Sequence, residues 1–270
     1  MRVLWLGTYE RDYPRTRVLV EGLRELGAEV VELHRPVWER TRHKAGGFLG
    51  PAGLARAGGR FAVAWAGLLP RVRGVGPVDA VVAGYPAQPD ALPALAAARA
   101  LRAPLVVDMM ISLADTLGGD RGRAGRAATA ALAGADRLAL RAADVVLADT
   151  RAGAAWMAGR FGVDPARIVV APVGAEPARF PPAPPPEGPP TALFSGKLAP
   201  GGWLAAELGR DRPPGLTWER WVPYERLGAE VAAASVCLGV FGTSDKAARV
   251  VPNKAWQAMA VGRPVVTADT

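Results

Sequence analysis

The chain has 270 residues, enough for one large or two medium domains, and half of them are hydrophobic, which allows a sizeable core. The net charge of +8 suits an anionic partner, but no helix-turn-helix, zinc-finger or RNA-binding motif is present, so we expect no nucleic acid. One cysteine excludes an internal disulfide and favours a reducing cytoplasm, and no apolar run reaches the ~18 residues of a membrane span.

The chain opens with a short apolar run, Val3–Gly7, which is followed by Thr8. A helical pattern of apolar residues at Val18–Leu26 then leads into a second apolar run at Glu29–Leu33. This order of strand, helix and strand predicts the start of a doubly wound parallel sheet. The connecting loop lacks the Gly-x-Gly-x-x-Gly pattern, so we expect no dinucleotide cofactor.

Two arginines, Arg15 and Arg17, lie in this loop close to the predicted start of the helix. A helix N-terminus offers unpaired N–H groups, and guanidinium groups beside it favour a phosphate. These two residues are therefore candidates for phosphate contact. A solvated loop without a ligand is the alternative.

Residues 35–73 hold eight basic residues against one acid, Glu39, and aromatic and aliphatic residues are interleaved among them. A helix of this composition can lie on an anionic membrane surface. The alternative is a helix that packs on its own domain and leaves its arginines in water.

The middle of the chain continues the alternation, with strands predicted at Val78–Ala83 and Pro104–Asp108 and a helix between them at Ala91–Leu101. Asp108 ends its strand at the edge where open α/β sheets bind ligands. Ser112 and Asp115 follow closely, so we take all three residues as candidate ligand contacts. Helix capping is the alternative for such side chains.

The first half closes with two further helix and strand pairs, predicted at Ala124–Ala143, Asp144–Ala148, Arg151–Phe161 and Ile168–Pro172. Pro181–Pro190 has seven prolines in ten residues, which excludes helix and sheet and predicts a linker. The sequence thus predicts one domain at residues 1–180 and a second at 191–270.

The most informative stretch is VPNKAWQAMAVGRPVVT, at Val251–Thr267, which predicts a loop, a helix, a turn and a strand. We expect Pro252 in the first turn, Asn253 as the cap and a helix over Lys254–Val261. The N–H groups of the helix N-terminus and the charge of Lys254 make a seat for a phosphate. The alternative is an ordinary α/β unit with a solvated lysine.

This stretch resembles the signature of the group-1, or family 4, glycosyltransferases, which reads Pro-Asn-Lys-x-x-Glu-x-Met-Ala-x-Gly-x-Pro-Val-Val. In that family of retaining enzymes the helix faces the nucleotide-sugar donor, and its glutamate holds the ribose hydroxyls. Gln257 stands at the position of that glutamate. Arg249 stands eight residues earlier, where a longer form of the signature has another glutamate. A glutamine donates to and accepts from a hydroxyl, but without a charge.

Other segments are similar to the same family. The run GKLAPGG resembles a loop whose basic residues meet the donor pyrophosphate, and the run after Asp108 resembles an acceptor-side pattern. The first loop of the family lines the cleft. The resemblance therefore implies donor contacts at Gly196, Lys197, Arg249, Asn253, Lys254 and Gln257, and acceptor-side or cleft contacts at Gly7, Thr8, Arg15, Arg17, Asp108, Ser112 and Asp115.

The resemblance also implies the architecture and the activity. It implies an α/β protein of GT-B type with two Rossmann-like doubly wound domains, the second incomplete, because a β-α repeat is missing after Lys197 and the chain ends after its last strand. The activity is transfer of a hexose from a nucleoside diphosphate sugar to a glycan, lipid or small-molecule acceptor. No metal and no cofactor is expected beyond the donor substrate, and the expected location is the cytoplasm, including the inner face of the membrane.

Two alternatives of other classes stay open at this point. One is a non-catalytic remnant of a glycosyltransferase that binds a nucleotide or a partner protein. The other is a basic peripheral membrane module, for which residues 35–73 are the evidence.

Overall fold

The computed structural model describes residues 1–38, 51–120, 125–196, 214–242 and 244–269, without the side chains of residues 51, 52, 54, 119 and 120. The chain divides into two compact units. One comprises Met1–Val173 with Thr243–Val251, and the other comprises Gly174–Gly242 with Pro252–Thr270. The sequence instead places the boundary at the proline-rich run after residue 180 and assigns residues 243–251 to the second domain.

The first unit alternates strands and helices along the chain. Its strands are β1 (Arg2–Gly7), β2 (Glu29–His34), β3 (Ala80–Ala83), β4 (Leu105–Asp108), β5 (Val145–Ala148) and β6 (Ile168–Val170). Its helices are α1 (Pro14–Glu25), α2 (Pro51–Val72), α3 (Ala91–Leu101), α4 (Arg126–Ala142) and α5 (Arg151–Phe161). A π-helical turn at Asp115–Asp120 follows β4.

The six strands form one parallel sheet in the order β2-β1-β3-β4-β5-β6. Successive residues of a strand point to opposite faces, and β1 shows this directly: Leu4 and Leu6 belong to one buried cluster, whereas Val3 and Trp5 belong to another. Helices cover both faces, which explains why the strands are continuous apolar runs. The strand order reverses between β1 and β3, and sheets of this kind bind ligands at such a point, beyond the carboxyl ends of the strands.

Helix α1 begins at Pro14, four residues before the predicted start at Val18. Tyr13 is extended and precedes it, and the fixed backbone of Pro14 suits the first turn of a helix. Arg15 and Arg17 therefore lie in the first helical turn, and the prediction that they lie in a loop was wrong.

Helix α2 directs its large residues inward. Trp65 and Leu68 are buried, and Trp38 packs against Phe61 with 5.5 Å between ring centroids. Val63 and Leu69 are exceptions, because both are exposed. The described part of residues 35–73 thus packs on its own unit, and residues 39–50 lie outside the described part of the chain. No helix within the described ranges combines the length and the apolar character that crossing a bilayer requires.

The second unit has a parallel sheet of three strands within the described residues, in the order β7-β8-β9. Its elements are β7 (Ala192–Leu193), α6 (Tyr224–Ala232), β8 (Val236–Leu238), α7 (Asn253–Val261) and β9 (Val265–Val266). The two helices enclose a small core that includes Phe180, Val231, Cys237, Ala258 and Val261. Helix α6 begins six residues before the predicted Glu230.

The small core of the second unit generates a prediction at Gly228 of α6. A Cβ at this position would lie 2.0 Å from the carbonyl oxygen of Arg179. We expect Gly228→Ala to force the helix outward and to lower the free energy of unfolding by about 1–3 kcal/mol. Gly134→Ala is the control, because a Cβ at this exposed position of α4 meets nothing within 4 Å. It should raise stability by about 0.5–1 kcal/mol. Urea unfolding followed by circular dichroism measures both, and equal effects would contradict the packing described.

Candidate functional site

The carboxylate of Asp90 is buried at the switch point of the first sheet, which is the place between β1 and β3 where the strand order reverses. Thr8 donates to it from its backbone N–H at 2.7 Å and from its hydroxyl, and Trp65 donates from Nε1 at 2.7 Å. Burial raises the pKa of Asp90 to about 7, although these donors favour the charged form. Gly7 is required here, because its φ is +135° and a Cβ would lie 2.4 Å from Asp90 Oδ2. The hydroxyl of Thr8 is thus committed to Asp90.

A fully buried ion pair joins Arg15 of α1 to Asp108 at the end of β4. Arg15 Nε lies 2.7 Å from Oδ1 and 2.9 Å from Oδ2, and Nη1 donates to the carbonyl oxygen of Ala171 at 2.6 Å. Burial raises the pKa of Asp108, and the charge of Arg15 opposes this shift. Burial also raises the pKa of the neighbouring Asp149, again opposed by Arg15. One guanidinium therefore compensates two buried carboxyl groups.

Arg17, two residues further along α1, has a different environment. Its Nη2 lies 2.7 Å from Oδ1 of Asp12, whose side chain is mostly exposed. The structure thus separates the two arginines that the sequence groups together as phosphate contacts. Arg15 is inaccessible and holds the sheet edge, whereas Arg17 reaches solvent.

Ser112 and Asp115 follow β4, as the sequence predicts, but Ser112 is committed within the fold. Its hydroxyl donates to Asp136 Oδ2 at 2.7 Å and accepts from the backbone N–H of Asp115 at 3.0 Å. Asp136, in α4, also accepts from two further backbone N–H groups and from Gln88. Ser112 therefore fixes the turn after β4. The sequence analysis missed Asp136, because a polar residue among the alanines of a long helix gives no local signal.

Arg249 belongs to the first unit, where it joins Asp115. Its Nη2 lies 2.9 Å from Asp115 Oδ2, and its guanidinium carbon lies 4.6 Å from the ring centroid of Trp156. Its carbonyl oxygen accepts the hydroxyl of Thr150 at 2.6 Å. The structure thus places this predicted donor contact among the predicted acceptor-side residues, while Lys254 and Gln257 lie in the second unit.

In the second unit, α7 begins at Asn253, and Pro252 is its N-cap. The predictions that Asn253 caps the helix and that Pro252 lies in the first turn were therefore wrong by one position. Pro252 is extended, with ψ of 152°, so the helix starts after it. Among the described residues, no side chain forms a capping hydrogen bond at this end, and first-turn N–H groups of this kind can bind an anion.

Lys254 lies in the first turn of α7 with its ammonium nitrogen 3.5 Å from the ring centroid of Phe194. Burial lowers the pKa of Lys254 to about 8. Gly196 is exposed shortly after Phe194, and Lys197 lies outside the described residues. The structure therefore brings Lys254 close to the strand end that leads to the predicted pyrophosphate loop.

Gln257 is 4% exposed and is the end of a chain of hydrogen bonds. The hydroxyl of Tyr224 donates to Glu176 Oε1 at 2.9 Å, and Gln257 Nε2 donates to that hydroxyl at 3.4 Å. Glu176 is itself buried and lies 2.7 Å from Nε of Arg179. Burial and the charge of Glu176 raise the pKa of Tyr224. The sequence analysis missed Tyr224 and Glu176, since the partners lie 33 and 48 residues apart along the chain.

A family model described as "Glycosyl transferase 4-like domain" matches residues 14–174, more than half of the chain. Among solved structures, the chain is similar to HepE of Anabaena in complex with UDP-glucose, at 14% identity over 100% of this chain and 81% of HepE, with a TM-score of 0.57. It is also similar to HepE in complex with UDP, at 15% identity over the same shares, with a TM-score of 0.50. No curated protein matches the chain. At this identity the structural likeness shows the fold, which is α/β of the GT-B type.

The contrast between Arg15 and Arg17 generates a prediction. We expect Arg15→Met to lower the free energy of unfolding by about 3–5 kcal/mol at neutral pH, because it leaves Asp108 buried without its partner. Arg17→Met should cost less than about 1 kcal/mol, since an exposed ion pair contributes little. Urea unfolding of both variants, and of Arg15→Met combined with Asp108→Leu, measures this. Recovery of stability in the double variant supports the ion pair, whereas equal effects of the two single changes would refute it.

Proposed function

The chain belongs to the glycosyl transferase 4-like family, and we propose that this glycosyltransferase moves a hexose from a nucleoside diphosphate sugar to an acceptor hydroxyl with retention of configuration. The observation that carries the donor assignment is the N-terminus of α7, which joins uncapped N–H groups to Lys254. HepE, which has a similar fold, is described in complex with UDP-glucose and with UDP, and this favours a UDP-sugar as donor. The anomer of the transferred hexose, read by NMR, tests retention.

We propose that Lys254 and α7 bind the diphosphate. The positive end of a helix and an ammonium group act on the same anion, and a leaving diphosphate gains negative charge as the glycosidic bond breaks. Lys254 has no carboxylate partner among the described residues, and the ring of Phe194 is its neighbour. A cation held against an aromatic face is still available to a stronger anionic partner. Lys197 would add a second charge, with Gly196 beside it.

We propose that Gln257 accepts a hydrogen bond from a ribose hydroxyl. Glu176 accepts the proton of the Tyr224 hydroxyl, so the oxygen of Tyr224 is left as an acceptor for the Gln257 amide group. The NH₂ group of Gln257 is thereby directed to Tyr224, and its carbonyl oxygen is the atom that we propose accepts from the ribose hydroxyl. In this orientation Gln257 offers the acceptor that a glutamate would offer, without the charge.

The acceptor is a glycan, a lipid-linked sugar or a small molecule, and we propose that Asp115 with Arg249 contacts it from the first unit. These two side chains remain partly exposed, at 24% and 15%. Ser112, Asp108, Thr8 and Arg15 support this edge from inside. The charge that stabilises the leaving group comes from basic side chains and from α7, so the proposal includes neither a metal nor a cofactor.

A second candidate function is association with an anionic membrane surface at the inner face of the membrane. Its support is limited to the exposed Arg56 and Arg71 of α2, beside the exposed Val63 and Leu69. Binding to vesicles that contain phosphatidylserine, lost at high salt, would support it. Equal binding to neutral and anionic vesicles would refute it.

The role of Lys254 gives the first test of the donor site. We expect Lys254→Ala to weaken UDP binding by about 1.5–3 kcal/mol, the contribution of a charged hydrogen bond, and to weaken uridine binding much less. The pKa of Lys254 is about 8, and UDP attracts only the protonated form. The parent should therefore lose UDP affinity as the pH rises through 8, and Lys254→Ala should not share this loss.

Isothermal titration calorimetry at pH 7 and pH 9 measures both effects. Lys246→Ala is the matched control, because Lys246 lies in the first unit and donates to Thr116 Oγ1 at 2.8 Å. It should bind UDP as the parent does. If Lys254→Ala binds UDP as tightly as the parent at both pH values, α7 is not the diphosphate site.

The hydrogen-bond chain to Gln257 gives the second test. We expect the parent to prefer UDP over 2′-deoxy-UDP by roughly 2- to 10-fold, the range of one neutral hydrogen bond. Tyr224→Phe keeps the ring but removes the hydroxyl that holds the Gln257 amide group, which is then able to turn. The ratio of the affinities for UDP and 2′-deoxy-UDP should therefore fall towards one, while the affinity for 2′-deoxy-UDP changes little. An unchanged preference in Tyr224→Phe would show that Tyr224 acts only in packing. No preference in the parent would remove Gln257 from the ribose site.

A further inference from the structure

A basic pocket lies in the first unit at the edge of the sheet opposite to the strand ends discussed above. It is a cavity of about 460 Å³ lined by the ends of α3 and α4 and by the segments that enter β4, β5 and β6. Its volume is within the range of small-molecule sites. Because it adjoins the amino ends of these strands, it is separate from Asp108, Ser112 and Asp115, which follow the carboxyl end of β4.

Three arginines converge on this pocket, each from a different element. They are Arg99 of α3, Arg141 of α4 and Arg167, which precedes β6. The only carboxylate in the lining is that of Asp144, and its Oδ2 accepts the backbone N–H of Leu105 at 2.7 Å. Positive charge is therefore in excess.

Arg99 and Arg141 each lie in the last turn of a helix, where a positive charge is favourable, but the carbonyl groups at both helix ends already have donors. Arg167 Nη2 donates to the carbonyl oxygens of Leu140, at 3.0 Å, and of Ala143, so α4 already has a cation at its carboxyl end. Helix α3 is closed by the backbone, because the N–H of Arg102 bonds to Arg99 O and the N–H of Ala103 bonds to Ala98 O.

The guanidinium groups of Arg99 and Arg141 are therefore not needed to complete the hydrogen bonding of these helix ends. Both residues are exposed, and within the described ranges neither side chain forms a hydrogen bond or an ion pair. Two guanidinium groups without an acceptor flank a wall that includes the apolar side chains of Leu95 and Ala98. The arrangement offers forked donors to an anion and apolar surface to a carbon skeleton.

We propose that this pocket binds a small phosphate ester, separately from the donor sugar nucleotide. Guanidinium groups match the oxygens of a phosphate in pairs, and the charge of about −2 on a phosphate monoester favours it over a carboxylate or chloride. Arg99 and Arg141 hold the phosphate group, Arg167 adds long-range attraction, and the remaining volume holds the sugar or alcohol part of the ester. The proposal does not depend on the function assigned to α7.

The test is calorimetric titration with ribose 5-phosphate at low ionic strength, where surface electrostatics are least screened. We expect the parent to bind, and we expect Arg99→Ala combined with Arg141→Ala to weaken binding at least tenfold, since two charged hydrogen bonds are lost. Arg126→Ala, at an exposed arginine in the first turn of α4, is the control for net charge and should bind as the parent does. Thermal unfolding confirms that each variant is folded.

Lys254→Ala separates this pocket from the donor site and should bind ribose 5-phosphate as the parent does. If the double variant binds as tightly as the parent, if Lys254→Ala abolishes the binding, or if the parent does not bind at all, the proposal is wrong. Loss of ribose 5-phosphate binding in the double variant, with UDP affinity unchanged, supports the proposed pocket. This holds whether or not α7 binds the donor.

Discussion

The ion pair between Arg15 and Asp108 is the constraint on which the functional edge of the first unit depends. Both side chains are fully buried, and the charges compensate each other where water is excluded. Through Nη1 the same arginine reaches the carbonyl of Ala171, just beyond β6, so α1, β4 and β6 are joined at one end of the sheet. Asp149 of the segment after β5 is compensated by the same charge. One arginine therefore fixes three strand ends.

This constraint changes the role of the residues around it. Thr8, Ser112 and Asp108 all sit where a doubly wound sheet binds ligands, yet each is committed to a partner inside the protein. Through these partners they set the shape of the edge. Asp115 and Arg249 lie nearby and are partly exposed, and they are the groups for which we propose contact with an acceptor.

The order of the strands and helices is largely readable from the sequence, because buried parallel strands are continuous apolar runs and α1 and α4 have helical patterns of apolar residues. Local signals also locate Gly262, which ends α7 in the left-handed region with φ of 82°. Side-chain partners are not readable in this way. Arg15 and Asp108 are 93 residues apart, and the sequence shows only an arginine near a helix start, which is equally typical of a phosphate contact. Arg249 shows the same limit, since the motif that places it beside a donor says nothing of Asp115 or Trp156.

The second unit carries two polar groups that are not committed to a charged partner. Among the described residues, the N-terminus of α7 has no side-chain cap, and Lys254 faces the ring of Phe194 instead of a carboxylate. Glu176 and Tyr224 hold the amide group of Gln257 through a chain of hydrogen bonds. In physical terms, the ion pair of the first unit holds a sheet edge together, and the second unit carries the groups that we propose bind a nucleotide.

Hydrogen exchange with and without UDP tests this division of roles most directly. The backbone N–H groups of Asn253 and Lys254 precede the first hydrogen bond of α7, which runs from Ala255 N to Pro252 O at 2.9 Å. These N–H groups should exchange quickly in the free protein and slowly when a diphosphate accepts hydrogen bonds from them. The account predicts that UDP slows exchange in a peptide covering Val251–Trp256 and leaves the first turn of α1 unchanged. Slowed exchange around Arg15 and Thr16, with no change in α7, would contradict it.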